Sequence, residues 1–180
     1  YTESDIPNPV NYYAKSKYEG ERNTLNLVKN SIVIRTNIYG FHFQEQTSLA
    51  EWALDNLKQG KKISGFTDVY FNPVYTKQLA DTLYKLILKK FSGIIHVASD
   101  NFISKHNFLV EIAKVFGYNT NLIEQKSIKS VNFKARRPNN TTLNTKLLEN
   151  TTGVVLNFFE GLKLFYTDYT TFAGKTQVHE

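Results

Sequence analysis

The 180-residue chain reads as an α/β protein with parallel strands, and two observations carry that reading. The runs "SIVIRT" and "SGIIHVAS" are short, continuous and rich in β-branched residues, as expected of strands covered on both faces. Between and after them lie longer segments with apolar residues three and four apart, the spacing of amphipathic helices. Alternation of the two patterns points to crossover units around a parallel sheet. The length suits one domain or a large piece of one.

Element by element, a helix is expected over residues 11–29. Asn11 is placed to cap it, Pro9 stands just outside, and Ala14, Tyr18, Leu25 and Val28 form the inward stripe. Ile32, Val33 and Ile34 begin the first strand. "TSLAEWALDNLKQG" predicts a helix burying Leu49, Trp52, Ala53 and Leu57 and ended by Gly60. "KKISGFTDVYFNPVY" is mixed strand and loop, and "TKQLADTLYKLILKK" is a helix expected to bury Leu79, Leu83, Leu86 and Ile87. "SGIIHVAS" is the second buried strand, followed by a helix between the Ser104 cap and Gly117. "TNLIEQKSI" is a further short strand, "TKLLENTTG" and "NFFEGLKLFYTDY" are two more helices, and the polar tail after Tyr169 is expected to be loose.

Composition narrows the function classes. There is no cysteine, so disulfides, thiolate nucleophiles and cysteine metal sites are excluded. The histidines at 42, 96, 106 and 179 lack metal-ligand spacing, and His96 sits inside an apolar strand as a core residue. The net charge is +6, but the lysines are scattered and only Arg22, Arg35, Arg136 and Arg137 are arginines. That is a solvated basic surface rather than a nucleic-acid footprint. No apolar stretch approaches the ~20 residues of a membrane helix and no secretory signal is visible, so neither nucleic acid nor membrane is an expected partner and a reducing cytoplasm is the expected setting. The nine glycines are all isolated, so no glycine-rich phosphate turn is present. The chain opens on Tyr1 and contains no methionine, which reads as part of a longer protein.

One short stretch carries chemistry. In "NYYAKSKYEGE" Tyr13 and Lys17 lie four apart, on one face of a helix. A phenol has a pKa of ~10, and a neighbouring ammonium favours the phenolate. Such a pair can protonate a carbonyl oxygen as hydride reaches the carbonyl carbon. The spacing is common, and a solvated helix face would show it too. In "ARRPNN" two adjacent arginines precede Pro138, and guanidinium groups match phosphate oxygens in bidentate geometry.

The blocks "YYAKSKYEGE", "VIRTNIYG", "FNPVYTKQLADTL", "GIIHVAS", "ISKHNFLVEIAKVFG" and "ARRPNNTTLNTKLLE", in that order, resemble the C-terminal part of extended short-chain dehydrogenase/reductases. They are most similar to the dTDP-4-dehydrorhamnose reductases of dTDP-rhamnose and polysaccharide biosynthesis. The resemblance covers the chain to about residue 165. It implies the C-terminal part of a Rossmann-like doubly wound parallel sheet plus a small substrate-binding α/β region. Residues 1–40 would hold remaining Rossmann elements, with the Tyr-x-x-x-Lys helix and the following strand. Residues 41–180 would hold a mixed substrate-binding region and the last Rossmann elements.

By the same resemblance Tyr13 is the catalytic acid/base, and Lys17 holds the nicotinamide ribose of NADP or NAD beside it. Asn37 lies on the phosphate side of the substrate, or else satisfies loop backbone at a strand end. Arg137, directly before Pro138, is the better match to an arginine near the diphosphate of a nucleotide-sugar, and Arg136 is instead a surface charge; a solvated loop is the alternative for both. Lys77 and Gln78 stand where relatives often carry an aspartate. The implied activity is reduction of a nucleotide-linked 4-keto-6-deoxy sugar. The alternatives are an epimerase or dehydratase on the same fold, or a non-catalytic regulatory subunit. Expected partners are the missing N-terminal half and a second copy of the chain.

Overall fold

The structure is a computed structural model that describes residues 1–42 and 48–176, with side chains through Phe172; His179 lies outside the described residues. The helices begin and end where local chemistry dictates. Helix α1 (Tyr12–Leu27) starts at Asn11, whose extended backbone (φ −151°) lets its side chain accept from the Ala14 N–H. Helix α2 (Leu49–Lys58) is opened by a reciprocal pair, Ser48 accepting from the Glu51 N–H and Glu51 accepting from the Ser48 N–H. It stops before Gly60, at φ +67°. Helix α3 spans Thr76–Leu88. Helix α4 (Lys105–Phe116) runs from the Ser104 cap to Gly117 in the left-handed region. Helix α5 (Lys146–Thr152) ends at Gly153 in the same way. Helix α6 spans Phe158–Thr176, so residues 170–176 continue a helix instead of loosening; the rest of the tail lies outside the described residues.

Among the described residues, eight strands pair two by two. The longest pair joins β1 (Ile32–Thr36) and β6 (Gly93–Val97) in parallel, Ile34 opposite Ile95. Strands β2 (Ile38–Tyr39) and β5 (Val74–Tyr75), and strands β3 (Ile63–Phe66) and β8 (Ile123–Lys126), are also parallel. The short pair β4 (Tyr70–Phe71) and β7 (Ile103–Ser104) is antiparallel. The architecture is therefore α/β with parallel pairing dominant, as the alternation predicts.

Two cores support it. The larger gathers α2, α4 and α6 around β2, β3 and β5, and is built on aromatic rings. Tyr39 meets Phe108, Phe158 and Phe165 edge-on at 5.3–6.1 Å between centroids, geometry in which a ring edge faces a negative ring face. Gly65 makes one close approach possible: a Cβ there would lie 2.5 Å from the His106 Cα, so β3 meets the α4 backbone only through a glycine. The smaller core packs Ile95, Val97 and Val74 against Leu86, Leu148 and Leu156.

Three expectations about faces are corrected. Helix α1 buries no residue fully: Ala14, Tyr18 and Leu25 are half-buried and Val28 is exposed. Helix α2 buries Ala50, Ala53, Leu54 and Leu57, while Leu49 and Trp52 are partly exposed. Helix α3 turns Gln78, Thr82 and Leu86 inward and leaves Leu83 and Ile87 outside. The reason lies in the Gln78 amide, which accepts from the Tyr75 N–H and donates to the Asn157 carbonyl; satisfying those buried backbone groups fixes the helix rotation. His96 is fully buried on β6 and its Nδ1 lies 3.2 Å from the Asn144 carbonyl oxygen.

Candidate functional site

Tyr13 is the second residue of α1, in the first turn, where unpaired peptide N–H groups give the helix end partial positive charge. Its ring is 71% exposed. One turn on, the Lys17 ammonium stands 5.6 Å from the ring centroid, within cation–π range. The helical spacing thus brings the phenol and the ammonium together on an open face.

Helix α1 is fixed to the sheet by a forked ion pair. Arg35 on β1 donates from Nε and Nη2 to the two carboxylate oxygens of Glu21, at 2.9 and 2.6 Å. The Glu21 hydrogen bonds hold the guanidinium in its charged form and raise its pKa, against the opposing effect of burial.

A second segment, residues 133–141, lies alongside. The Arg137 guanidinium stacks 5.2 Å from the Phe133 centroid, and Phe133 meets Phe66 edge-on at 6.0 Å. Both Arg136 and Arg137 are exposed, so their donors are free to face a ligand in solution. The segment runs beside β4: the Tyr70 N–H donates to the Asn139 carbonyl at 2.8 Å, and the Thr141 N–H donates to the Tyr70 carbonyl at 3.0 Å. The Asn139 side-chain amide also donates to the Asp68 backbone carbonyl at 3.3 Å, and Asp68 is itself held in place. Its carboxylate accepts from the Ser127 hydroxyl and the Ile128 N–H, which hold its pKa below the usual carboxylate range.

Asn37 follows β1 and spends its amide on the same segment. It donates to the Thr141 carbonyl at 2.9 Å and accepts from the Thr141 hydroxyl at 3.3 Å. At the other end the Asn11 amide donates to the Arg136 carbonyl at 2.8 Å. The arginine segment is thus strapped to the end of β1 by Asn37 and to the start of α1 by Asn11. The capping role of Asn11 is legible in sequence; its second bond, across 125 positions, is not.

The remaining candidates lie elsewhere. Lys77 pairs with Asp168 at 3.2 Å, and the Tyr75 hydroxyl donates to the same carboxylate at 3.1 Å. With Gln78 turned inward, these two positions brace α3 against α6. Among the described residues no cluster of histidine, aspartate or glutamate could hold a metal ion, and no helix is long and apolar enough to cross a membrane.

Comparison with known proteins gives this geometry a context. Residues 1–171 match the family model described as the RmlD substrate binding domain. The chain is 26% identical over 178 residues to the probable low-salt glycan biosynthesis reductase Agl14 of Haloferax volcanii, covering 95% of this chain and 59% of that protein. It is 26% identical over 156 residues to methionine adenosyltransferase 2 subunit beta of Danio rerio, covering 83% of this chain and 48% of that protein. Among solved structures, dTDP-4-dehydrorhamnose reductase of Bacillus anthracis in complex with NADP superposes with a TM-score of 0.84 at 25% identity, over 93% of this chain and 59% of the other. The chain spans about half to three-fifths of the length of these relatives. With the match running through nearly all of its residues, the chain belongs to the RmlD substrate-binding domain family.

Proposed function

We propose that this chain carries the proton donor and the substrate-side groups of an NAD(P)-dependent reductase acting on a nucleotide-linked 4-keto-6-deoxy sugar. The observation that supports it most is the pairing of Tyr13 with Lys17 in the first turns of α1, strapped through Asn11 to the segment that bears Arg137. The names of two relatives, a glycan biosynthesis reductase and a dTDP-4-dehydrorhamnose reductase in complex with NADP, point the same way.

When bound, the cofactor supplies a hydride to the carbonyl carbon. In the proposed step the Tyr13 hydroxyl gives its proton to the carbonyl oxygen, so ketone, hydride and proton yield a secondary alcohol. The Lys17 ammonium and the start of α1 stabilise the negative charge left on the phenol oxygen. Lys17 also fits the ribose hydroxyls of the nicotinamide nucleotide, because its three donors are unburied and lie beside the phenol. Arg137 grips the diphosphate of the sugar nucleotide, and Asn37 holds the segment at the right distance through Thr141. No glycine-rich phosphate turn occurs among these residues, so this chain furnishes the nicotinamide side of a cofactor site and not its pyrophosphate cradle.

The test is NADPH or NADH oxidation, followed at 340 nm, by the full-length protein with a dTDP-4-keto-6-deoxy sugar. Turnover that Tyr13→Phe abolishes supports the reading. A wild-type protein that binds the sugar nucleotide without oxidising cofactor points to the second reading, a non-catalytic subunit, which the similarity to a protein named as a subunit of methionine adenosyltransferase 2 favours.

A further inference from the structure

We infer that Asn11 is a positioning residue that sets the distance between the proton donor and the arginine segment, and so the fit of a nucleoside diphosphate. This rests on the functional reading above. One amide does two jobs. Its Oδ1 accepts from the Ala14 N–H at 2.9 Å and fixes where α1 begins, one residue before Tyr13. Its Nδ2 donates to the Arg136 carbonyl at 2.8 Å, the peptide that carries Arg137. The Asn11–Arg136 bond ties the arginines directly to α1. Without it the segment would remain fixed at residues 139–141, by β4 and by Asn37, and packed edge-on through Phe133 against Phe66, with Arg136 and Arg137 on the span between.

The two jobs are separable, because capping needs an acceptor and the strap needs a donor. Asn11→Asp keeps the acceptor and loses the donor. Asn11→Ser also caps, is too short to reach the Arg136 carbonyl, and adds no charge beside the arginines. In the full-length protein both variants should leave the thermal midpoint and kcat within two-fold or a few degrees of wild type. Both should raise KM for the sugar nucleotide, and the dissociation constant for dTDP, about ten-fold, the worth of one hydrogen bond to a positioned chain. Hydrogen exchange should accelerate at residues 133–138 and stay unchanged at 14–17.

A residue that only caps the helix would leave KM, dTDP binding and exchange at 133–138 as in wild type in both variants, and that result overturns the inference. So does a wild-type protein that does not bind dTDP. Wild-type protein that binds dTDP but oxidises no cofactor defeats the reductase reading alone; the ratio of variant to wild-type dTDP affinity then still decides the role of Asn11.

Discussion

Lys105 offers a sharp test of the energetics. It is the first residue of α4, and its ammonium lies 3.3 Å from the centroid of Phe71, a ring only 3% exposed. Burial disfavours the charged form and brings its pKa down from 10.5 to about 8. The helix N-terminus opposes a cation as well, while the ring face attracts it by about 0.5–2 kcal/mol. Below pH 8 the amine is protonated in both folded and unfolded chains, and the folded state carries the cost of a buried charge. Between about pH 8 and 10.5 the unfolded chain binds the proton and the folded chain does not, so stability rises with pH across that window. At 1.36 kcal/mol per pKa unit the fall from 10.5 to about 8 corresponds to roughly 3 kcal/mol; allowing for the ring attraction, about 1–3 kcal/mol remains. Lys105→Met keeps the length, removes the charge and retains a sulfur–aromatic contact. It should stabilise the protein by about 1–3 kcal/mol at pH 7, with the difference from wild type fading towards pH 10. Urea unfolding midpoints of both proteins at pH 7, 8, 9 and 10 measure this, and effects of pH common to both proteins cancel in the difference. A methionine variant less stable than wild type at pH 7, or a difference that does not change with pH, would refute the reasoning and show that the Phe71 face dominates.

Three further outcomes are expected. Tyr13→Phe should cut cofactor oxidation by the full-length protein about 10²–10⁴-fold, the scale of a lost general acid, while sugar-nucleotide affinity measured by titration stays within a few-fold. Gly65→Ala should lower stability by about 1–3 kcal/mol in a denaturant titration, because the new Cβ meets the His106 backbone at 2.5 Å and neither β3 nor α4 can move without disturbing the aromatic core. Glu21→Gln leaves the half-buried Arg35 guanidinium without its carboxylate; it should cost about 1–3 kcal/mol and speed hydrogen exchange along α1.

Most of the secondary structure was legible because it is locally encoded. Asn11, Ser48, Ser104, Gly60, Gly117 and Gly153 all act on peptide groups within a few positions of themselves, and β-branched runs such as Ile32–Ile34 declare strands without reference to the rest of the chain. The Tyr13–Lys17 pairing was legible for the same reason: four residues on a helix is a fixed distance. Helix rotation was less so. The apolar spacing of α3 marked Leu83 and Ile87 as inward, but the buried backbone groups of Tyr75 and Asn157 drew Gln78 in instead. Local polarity likewise hides the length of α6, since the polar residues after Tyr169 continue the helix to Thr176.

By itself, then, the sequence determined the alternation of strands and helices, most of their caps, and the pairing of Tyr13 with Lys17, all set by interactions that span a single turn or strand. Only the tertiary structure decided that residues 136–141 lie beside the start of α1. The contacts that place them there, Asn11 to Arg136, Asn37 to Thr141 and Tyr70 to Asn139, join positions from 69 to 125 apart along the chain. No local propensity encodes such a distance; it follows from how the two cores pack and from the need of buried peptide groups for partners.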